Sequence, residues 1–258
     1  MAAPTPAFVS GRAGCVFIDG FDLSAFFQSF EFGQTKATIE ANTFRSTAKR
    51  FVDDLPDSSI SGEGFWDPQD RAIAPVLDKA IIGTVQSNVI WYPGNDTFGN
   101  TGYAGVAIIT ANTVSGATDA AVAVSVSGQP TGTGRELVKS LHKVQDETAD
   151  GNSSAIDAGA ASSLGAAAYL QVMEMDGTGT LVVTIETDTA VGFATPTTLF
   201  TFATVSATSG VITSTPYERV SNAVDTSIEQ FVRAKWDLTT VTRVRFAVAF
   251  HRRAAVFS

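Results

Sequence analysis

Phe26-Phe27-Gln28-Ser29-Phe30-Glu31-Phe32 is the stretch that decides how this chain is read. In an extended strand Phe26, Gln28, Phe30 and Phe32 share one face, while Phe27, Ser29 and Glu31 share the other. Aromatics on both faces predict a strand that is covered on both sides. Similar short runs lie outward from it at Cys15 to Ile18, Ala37 to Ala41, Ser59 to Phe65, Val106 to Ile109, Ala120 to Val126, Ala168 to Met173, Leu181 to Ile185, Leu199 to Phe202, Gln230 to Trp236 and Thr242 to Phe250. Glycine, proline and other turn residues separate them, so the expected fold class is mainly β. One segment breaks the pattern. Asp67 as N-cap, Pro68 at the first helical position and the stripe Ile73, Val76, Leu77, Ala80, Ile81 before Gly83 predict one helix over about 67–82. Pro75 either kinks that helix or marks its true first turn.

Composition narrows the function classes. Hydrophobic residues make up 44% of the 258 residues and charged residues 17%, which gives ample core and excludes global disorder. With 17 basic and 26 acidic residues the formal charge is −9, against a surface built to grip phosphate backbones. So little charge implies that other subunits cover part of the exterior. Cys15 is the lone cysteine, so neither an internal disulfide nor a thiolate zinc site is available. No run approaches a membrane span, and the start lacks the pattern of a signal peptide. A soluble protein of a reducing cytoplasm, without membrane partners, is expected.

The chain offers little that looks like catalysis. His-Glu-x-x-His, Gly-x-Ser-x-Gly and Cys-x-x-Cys are all missing. Gly128-Gln129-Pro130-Thr131-Gly132-Thr133-Gly134-Arg135 has the wrong glycine spacing for a phosphate loop and lacks its lysine, so it reads as a turn. Asp146, Thr148, Asp150, Gly151 and Asp157 match a calcium loop loosely and read as a solvated acidic linker. His142 and His251 read as surface or strand-edge residues. No enzyme activity, cofactor or metal is expected. A domain border is expected in the Asp/Glu-rich stretch after His142, dividing the chain into 1–142 and 143–258.

The order of short motifs adds a resemblance. Asp19-Gly20-Phe21-Asp22-Leu23-Ser24, then Asn42-Thr43-Phe44, Thr47-Ala48-Lys49-Arg50-Phe51-Val52 and Leu55-Pro56-Asp57 through Gly64-Phe65, followed by a helix and Pro93-Gly94 through Gly102-Tyr103, resembles the major tail tube proteins of long-tailed, siphovirus-type bacteriophages. Asp54 stands where the family commonly has glycine. The resemblance covers about residues 12–142. Residues 143–258, with Gln230-Phe231-Val232-Arg233-Ala234-Lys235-Trp236, are similar to an accessory C-terminal β-sandwich of phage virion proteins.

That resemblance implies a tail-tube-type β-sandwich or barrel with one helix, followed by a second β-sandwich of jelly-roll or immunoglobulin-like type on the tube exterior. It implies homo-hexameric rings stacked into a tube, assembled in the host cytoplasm and carried in the virion tail. Implied partners are the tape measure, terminator and baseplate or tip proteins, with double-stranded DNA passing through unbound. Six subunits giving about four strands each make about 24 strands, a backbone diameter of about 50 Å and about 40 Å of clear bore. Acidic residues on that bore would repel phosphate, and Asp19, Asp22, Glu31 and Glu40 are the candidates. Lys49, Arg50, Asp53 and Asp54 are candidates for a loop that pairs one ring with the next. Two other readings stay open: a carbohydrate-binding or host-attachment module using Tyr169, Tyr217 or Trp236, and a capsid-decorating or head–tail joining protein.

Overall fold

The computed structural model describes residues 13–40, 51–83, 86–223 and 225–253. Among them the chain forms fifteen strands and one helix: β1 (Cys15–Ile18), β2 (Phe21–Asp22), β3 (Phe27–Glu40), β4 (Phe51–Phe65), α1 (Ile73–Ile82), β5 (Ser87–Tyr92), β6 (Thr101–Ser115), β7 (Ala123–Glu147), β8 (Gly151–Asn152), β9 (Ile156–Asp157), β10 (Ala166–Asp188), β11 (Thr197–Thr201), β12 (Val205–Thr208), β13 (Val211–Ile212), β14 (Tyr217–Ser221) and β15 (Phe231–Arg252). The mainly β class holds. Several strands are longer than the short apolar runs that announced them, because residues that read as turns are absorbed as bulges. Gly177 and Gly179 have positive φ and sit inside β10, where its register against β15 shifts. Gly132 and Gly134 likewise lie within β7, so Gly128 to Arg135 is irregular strand rather than the expected turn.

The residues divide into two compact units that are not consecutive in sequence. An inserted unit holds residues 26–87 and 105–136; a terminal unit holds 1–25, 88–104 and 137–258. The expected border at 142/143 falls inside β7, which runs unbroken to Glu147. In the inserted unit β3 pairs with β4, and β4 pairs with β7, both antiparallel. Helix α1 starts at Ile73, one turn and more after Asp67, so Pro75 occupies the first turn, where its missing N–H costs nothing. Asp67 instead accepts a hydrogen bond from the Gln69 N–H at 2.9 Å. Ile73, Val76 and Leu77 are buried as the stripe requires, whereas Ile81 and Ile82 at the helix end are exposed.

The terminal unit is organised by β10 against β15, antiparallel partners along almost their entire lengths. β11, β12 and β14 also pair with β10, and β7, β8 and β9 with β15. Its core includes Leu170, Val172, Leu181, Val183, Phe202, Trp236, Phe246 and Val248. The stretch that reads as an acidic linker is threaded into this sheet. Asp146 pairs with Arg243, Gly151 and Asn152 lie in register with β15, and Asp150 accepts the Leu238 N–H at 2.6 Å.

β1 and β2 form a tight hairpin in which Ile18 faces Phe21 and only Asp19 and Gly20 intervene. Both have positive φ, 53° and 83°, the requirement of a two-residue turn that follows the sheet's twist. The Gly20 N–H donates to the carboxamide oxygen of buried Gln171, whose Nε2 donates to the Asn88 carbonyl at 2.8 Å. A Cβ on Gly20 would lie 2.8 Å from the Val172 carbonyl oxygen and 2.9 Å from Pro216 Cγ, while one on Gly99, at a similar φ of 78°, would meet nothing within 4 Å. Gly99→Ala is therefore expected to cost about 1 kcal/mol, the left-handed penalty alone. Gly20→Ala should cost at least about 2 kcal/mol. Chemical denaturation of the two variants checks the difference, and equal losses would refute the packing of this turn.

Candidate functional site

The most distinctive surface in the inserted unit follows from a strict alternation in Asp57-Ser58-Ser59-Ile60-Ser61-Gly62-Glu63-Gly64-Phe65. Ser58, Ile60, Gly62 and Gly64 are buried, whereas Asp57, Ser59, Ser61, Glu63 and Phe65 are exposed. β7 repeats the pattern: Val124, Val126 and Gly128 are buried between less covered Ser125, Ser127 and Gln129. Register joins the two sets. Gly62 lies opposite Val126 and Ile60 opposite Gly128 on the inner face, with Ser61 opposite Ser127 and Glu63 opposite Ser125 on the outer. On the other side of β4, Ser29 faces Glu63 and Glu31 faces Ser61.

The outer face therefore carries Ser29, Glu31, Asp57, Ser59, Ser61, Glu63, Ser125 and Ser127 across three strands. It is rich in hydroxyls and carries three carboxylates; none of these positions is basic. Asp57 is tethered across the sheet, its Oδ1 accepting from Gln129 Nε2 at 2.5 Å, and Gln129 Nε2 also donates to the Ser58 carbonyl at 2.7 Å. From β6, Thr110 Oγ1 donates to the Ser127 carbonyl at 3.2 Å. Glycine makes the inner side possible: the Phe27 and Phe30 rings, edge-to-face at 5.2 Å, approach so closely that a Cβ on Gly62 would lie under 3 Å from each.

The residues expected to line a bore are divided by this geometry. Glu31 lies on the carboxylate face, on its β3 edge, opposite Ser61. Glu40 is exposed at the far end of β3, opposite Phe51 and beyond the register shift at Lys36/Thr38. Asp19 and Asp22 belong to the terminal unit and hold turns. Asp19 Oδ1 accepts the Asn88 N–H at 2.7 Å, and Asp22 Oδ1 accepts from the Ser24 N–H at 3.1 Å and its hydroxyl at 2.5 Å. Asp57 and Glu63, which complete the face, are additions the sequence reading passed over, although their alternation with serine and glycine marks them. Of the residues expected in a ring-pairing loop, Lys49 and Arg50 lie outside the described residues. Asp53 and Asp54 are in strand β4 and not in a loop, with Asp53 opposite Thr38.

In the terminal unit the aromatic groups expected to stack on sugars are core: Tyr169 is 0% and Trp236 4% exposed. Their polar atoms are engaged, Trp236 Nε1 donating to the Ala149 carbonyl at 3.0 Å and Arg219 Nε donating to the Tyr169 hydroxyl at 3.1 Å. Tyr217 is half-buried on β14, and the three do not form an exposed platform. His142 is also buried, contrary to its expected place at the surface, because β7 continues past it into the sheet. Cys15 is half-buried, and burial, reinforced by Asp96 and Asp22, pushes its thiol up to about 11, so it stays protonated and poorly nucleophilic at neutral pH. No group of histidine, cysteine and carboxylates among the described residues could hold a metal ion.

No protein-family model matches the chain. No curated protein matches it by sequence either. Solved structures do. A chain of the virion of a native gene transfer agent particle is 14% identical with a TM-score of 0.40, covering 48% of this chain and 95% of that one. The SPP1 Dit protein (gp 19.1), described as a paradigm of the hub adsorption apparatus in phages infecting Gram-positive bacteria, is 12% identical with a TM-score of 0.38, covering 94% and 100%. The SPP1 tail tube protein is 17% identical with a TM-score of 0.39, covering 50% and 78%.

The two-faced sheet makes a direct prediction. Ile60→Ala removes a buried side chain and should cost about 2–4 kcal/mol. Its neighbours on the outer face behave differently: Ser61→Ala and Glu63→Gln should stay within about 0.5 kcal/mol of the parent. Urea denaturation of the three variants decides the assignment, and a large loss at Ser61 or Glu63 would reverse it.

Proposed function

We propose that this chain is a structural subunit of a phage tail, the tube protein itself. Its copies close into hexameric rings, the rings stack, and the Glu31, Asp57 and Glu63 face of β3, β4 and β7 lines the conduit through which double-stranded DNA leaves. The single observation that carries this reading is that face: broad, extended, hydroxylated and anionic on one side, apolar on the other. A conduit for DNA must wet readily without binding its cargo. Serine hydroxyls supply hydration, and carboxylates deny phosphate the counterion release that drives adhesion. At physiological salt their repulsion reaches about 8 Å from the wall, enough to keep the duplex off the surface while leaving the centre of the bore unaffected.

Two further features support the reading. The order of motifs from Asp19 to Tyr103 resembles that of tail tube proteins. β3, fourteen residues long, pairs only with β4 among the described residues, and so offers a long edge of the kind that a neighbouring copy covers. In this reading residues 143–258 decorate the tube exterior, other tail proteins meet the ends of the stack, and no residue performs chemistry.

Electron microscopy of the purified full-length protein is expected to show six-fold rings and stacked tubes, and a monomer at every concentration would refute the proposal. The double substitution Glu31→Lys and Glu63→Lys tests the lining separately. Assembled rings should then retain DNA with an affinity that falls steeply with salt, whereas the parent passes it freely. Rings that still ignore DNA would remove this face from the bore.

A further inference from the structure

His142 is a buried ionisable group in the terminal unit that the tube reading leaves without a role. Its ring stacks flat on Phe246, with centroids 4.1 Å apart and planes 3° apart, and meets Trp236 edge-on at 4.7 Å. Phe246 and Trp236 both come from β15, so the imidazole is held in the seam where β7 pairs with β15. Both ring nitrogens have partners. Nδ1 lies 3.1 Å from the Phe246 carbonyl oxygen, an acceptor, and so carries a proton. Nε2 faces two groups of opposite kind: Glu147 Oε1, an acceptor at 3.1 Å, and Gln145 Nε2, a donor at 3.4 Å. Gln145 Nε2 also donates to Glu147 Oε1.

This arrangement satisfies the ring in both of its protonation states. As neutral imidazole, Nδ1–H donates to Phe246 while Nε2 accepts from the Gln145 amide. As imidazolium, Nε2–H donates to Glu147. The charged groups facing it are Glu147 on β7 and Asp96 in the β5–β6 connection, whose Oδ2 accepts the Val144 N–H at 2.5 Å; β15 presents aromatic carbon. We infer that His142, Gln145 and Glu147 form a proton-responsive latch on the β7–β15 seam, closed when the ring is neutral and loosened by acid.

The direction follows from solvation. Burial among aromatic rings disfavours the imidazolium and, against the opposing pull of Glu147, leaves His142 below its ordinary value of 6.5. A seam that opens exposes the ring to water and restores its basicity, so the open form binds the proton more readily than the closed one. The latch is thus fully closed above pH 6.5 and loses stability as the pH falls through the window between 6.5 and the lowered value. Uptake of one proton limits the effect to about tenfold in the opening equilibrium per pH unit.

Hydrogen–deuterium exchange of the full-length protein, corrected for the intrinsic pH dependence of exchange, tests this over residues 139–147 and 242–250. Protection there should fall as the pH drops from about 7.5 to about 5, while strands β3 and β4 hold theirs. His142→Phe keeps an aromatic ring against Phe246 and Trp236 but cannot titrate, and should flatten the pH dependence. Glu147→Gln removes the partner of the imidazolium and should steepen it. Imidazole nitrogen resonances give an independent reading that needs no substitution: at neutral pH Nε2 of His142 should be unprotonated and Nδ1 protonated, with titration below the ordinary histidine value of 6.5. A wild-type seam indifferent to acid, an unaltered pH dependence in His142→Phe or Glu147→Gln, or a His142 that titrates at or above the ordinary histidine value of 6.5 would overturn the latch.

Discussion

An extended chain sends successive side chains to opposite sides, and the inserted unit is built on that constraint. Asp57 to Phe65 can present serine and carboxylate on one side only because the intervening positions, Ser58, Ile60, Gly62 and Gly64, point the other way and are buried. A slip of one residue against β7 would bring Glu63 to the apolar side and Ile60 to water. The pairings of Gly62 with Val126 and Ser61 with Ser127 therefore place chemistry as well as backbone. The apolar side keeps the register and the polar side inherits its position from it. This is why residues that contribute little to stability can still be held in a fixed array.

The terminal unit meets a different constraint. β10 and β15 are over twenty residues each, and a regular pair of that length would coil strongly. The register breaks at Val172/Glu174 and at Asp176 to Thr180 interrupt it. Polar side chains hold the surrounding loops. Arg252 donates to the carbonyls of Ala158, Gly159, Ala160 and Ile228 and to the Ser162 hydroxyl, closing the 158–162 segment against the end of the sheet. Asp188 accepts the N–H groups of Ala190 and Thr195, and these bonds keep its carboxyl below the usual range. Arg243 gathers Asp146, Glu174 and Asp176 from two other strands.

The sequence disclosed the strand content and the helix stripe because both rest on local periodicity. Cys15–Ile18 emerges with the expected bounds, and Ile73, Val76 and Leu77 are buried as their spacing demands. Strand lengths were not legible, since Gly177, Gly179 and Gly134 look the same whether they end a strand or bulge it. β5, rich in Val89, Ile90 and Trp91, escaped because it is covered at nearly every position and so shows no two-residue alternation, and the short β12 and β14 were missed as well. The division into units was hidden for a deeper reason: it depends on which distant strands pair, and β6 and β7 contribute residues to both. Of the anionic face, Glu31 was visible beside its aromatic neighbours. Asp57 and Glu63 needed the register of β4 to join it.

Hydroxyl and carboxylate have separate tasks on such a face. Three carboxylates spread over two strands, Glu31 on β3 and Asp57 and Glu63 on β4, repel one another only weakly in water, so their cost to folding is small, yet their fields would add for a polyanion that passes all of them. Serine between them contributes no charge and little bulk, and it leaves the backbone close to solvent without an apolar surface to dewet. Substituting threonine or valine there would suit β propensity better but would raise apolar exposure. Choosing serine at Ser59, Ser61, Ser125 and Ser127 thus gives up local strand preference, and the buried Ile60, Val124 and Val126 on the reverse side make up the difference. The composition of the polar side is set by what must touch it, and that of the apolar side by what must hold it in place.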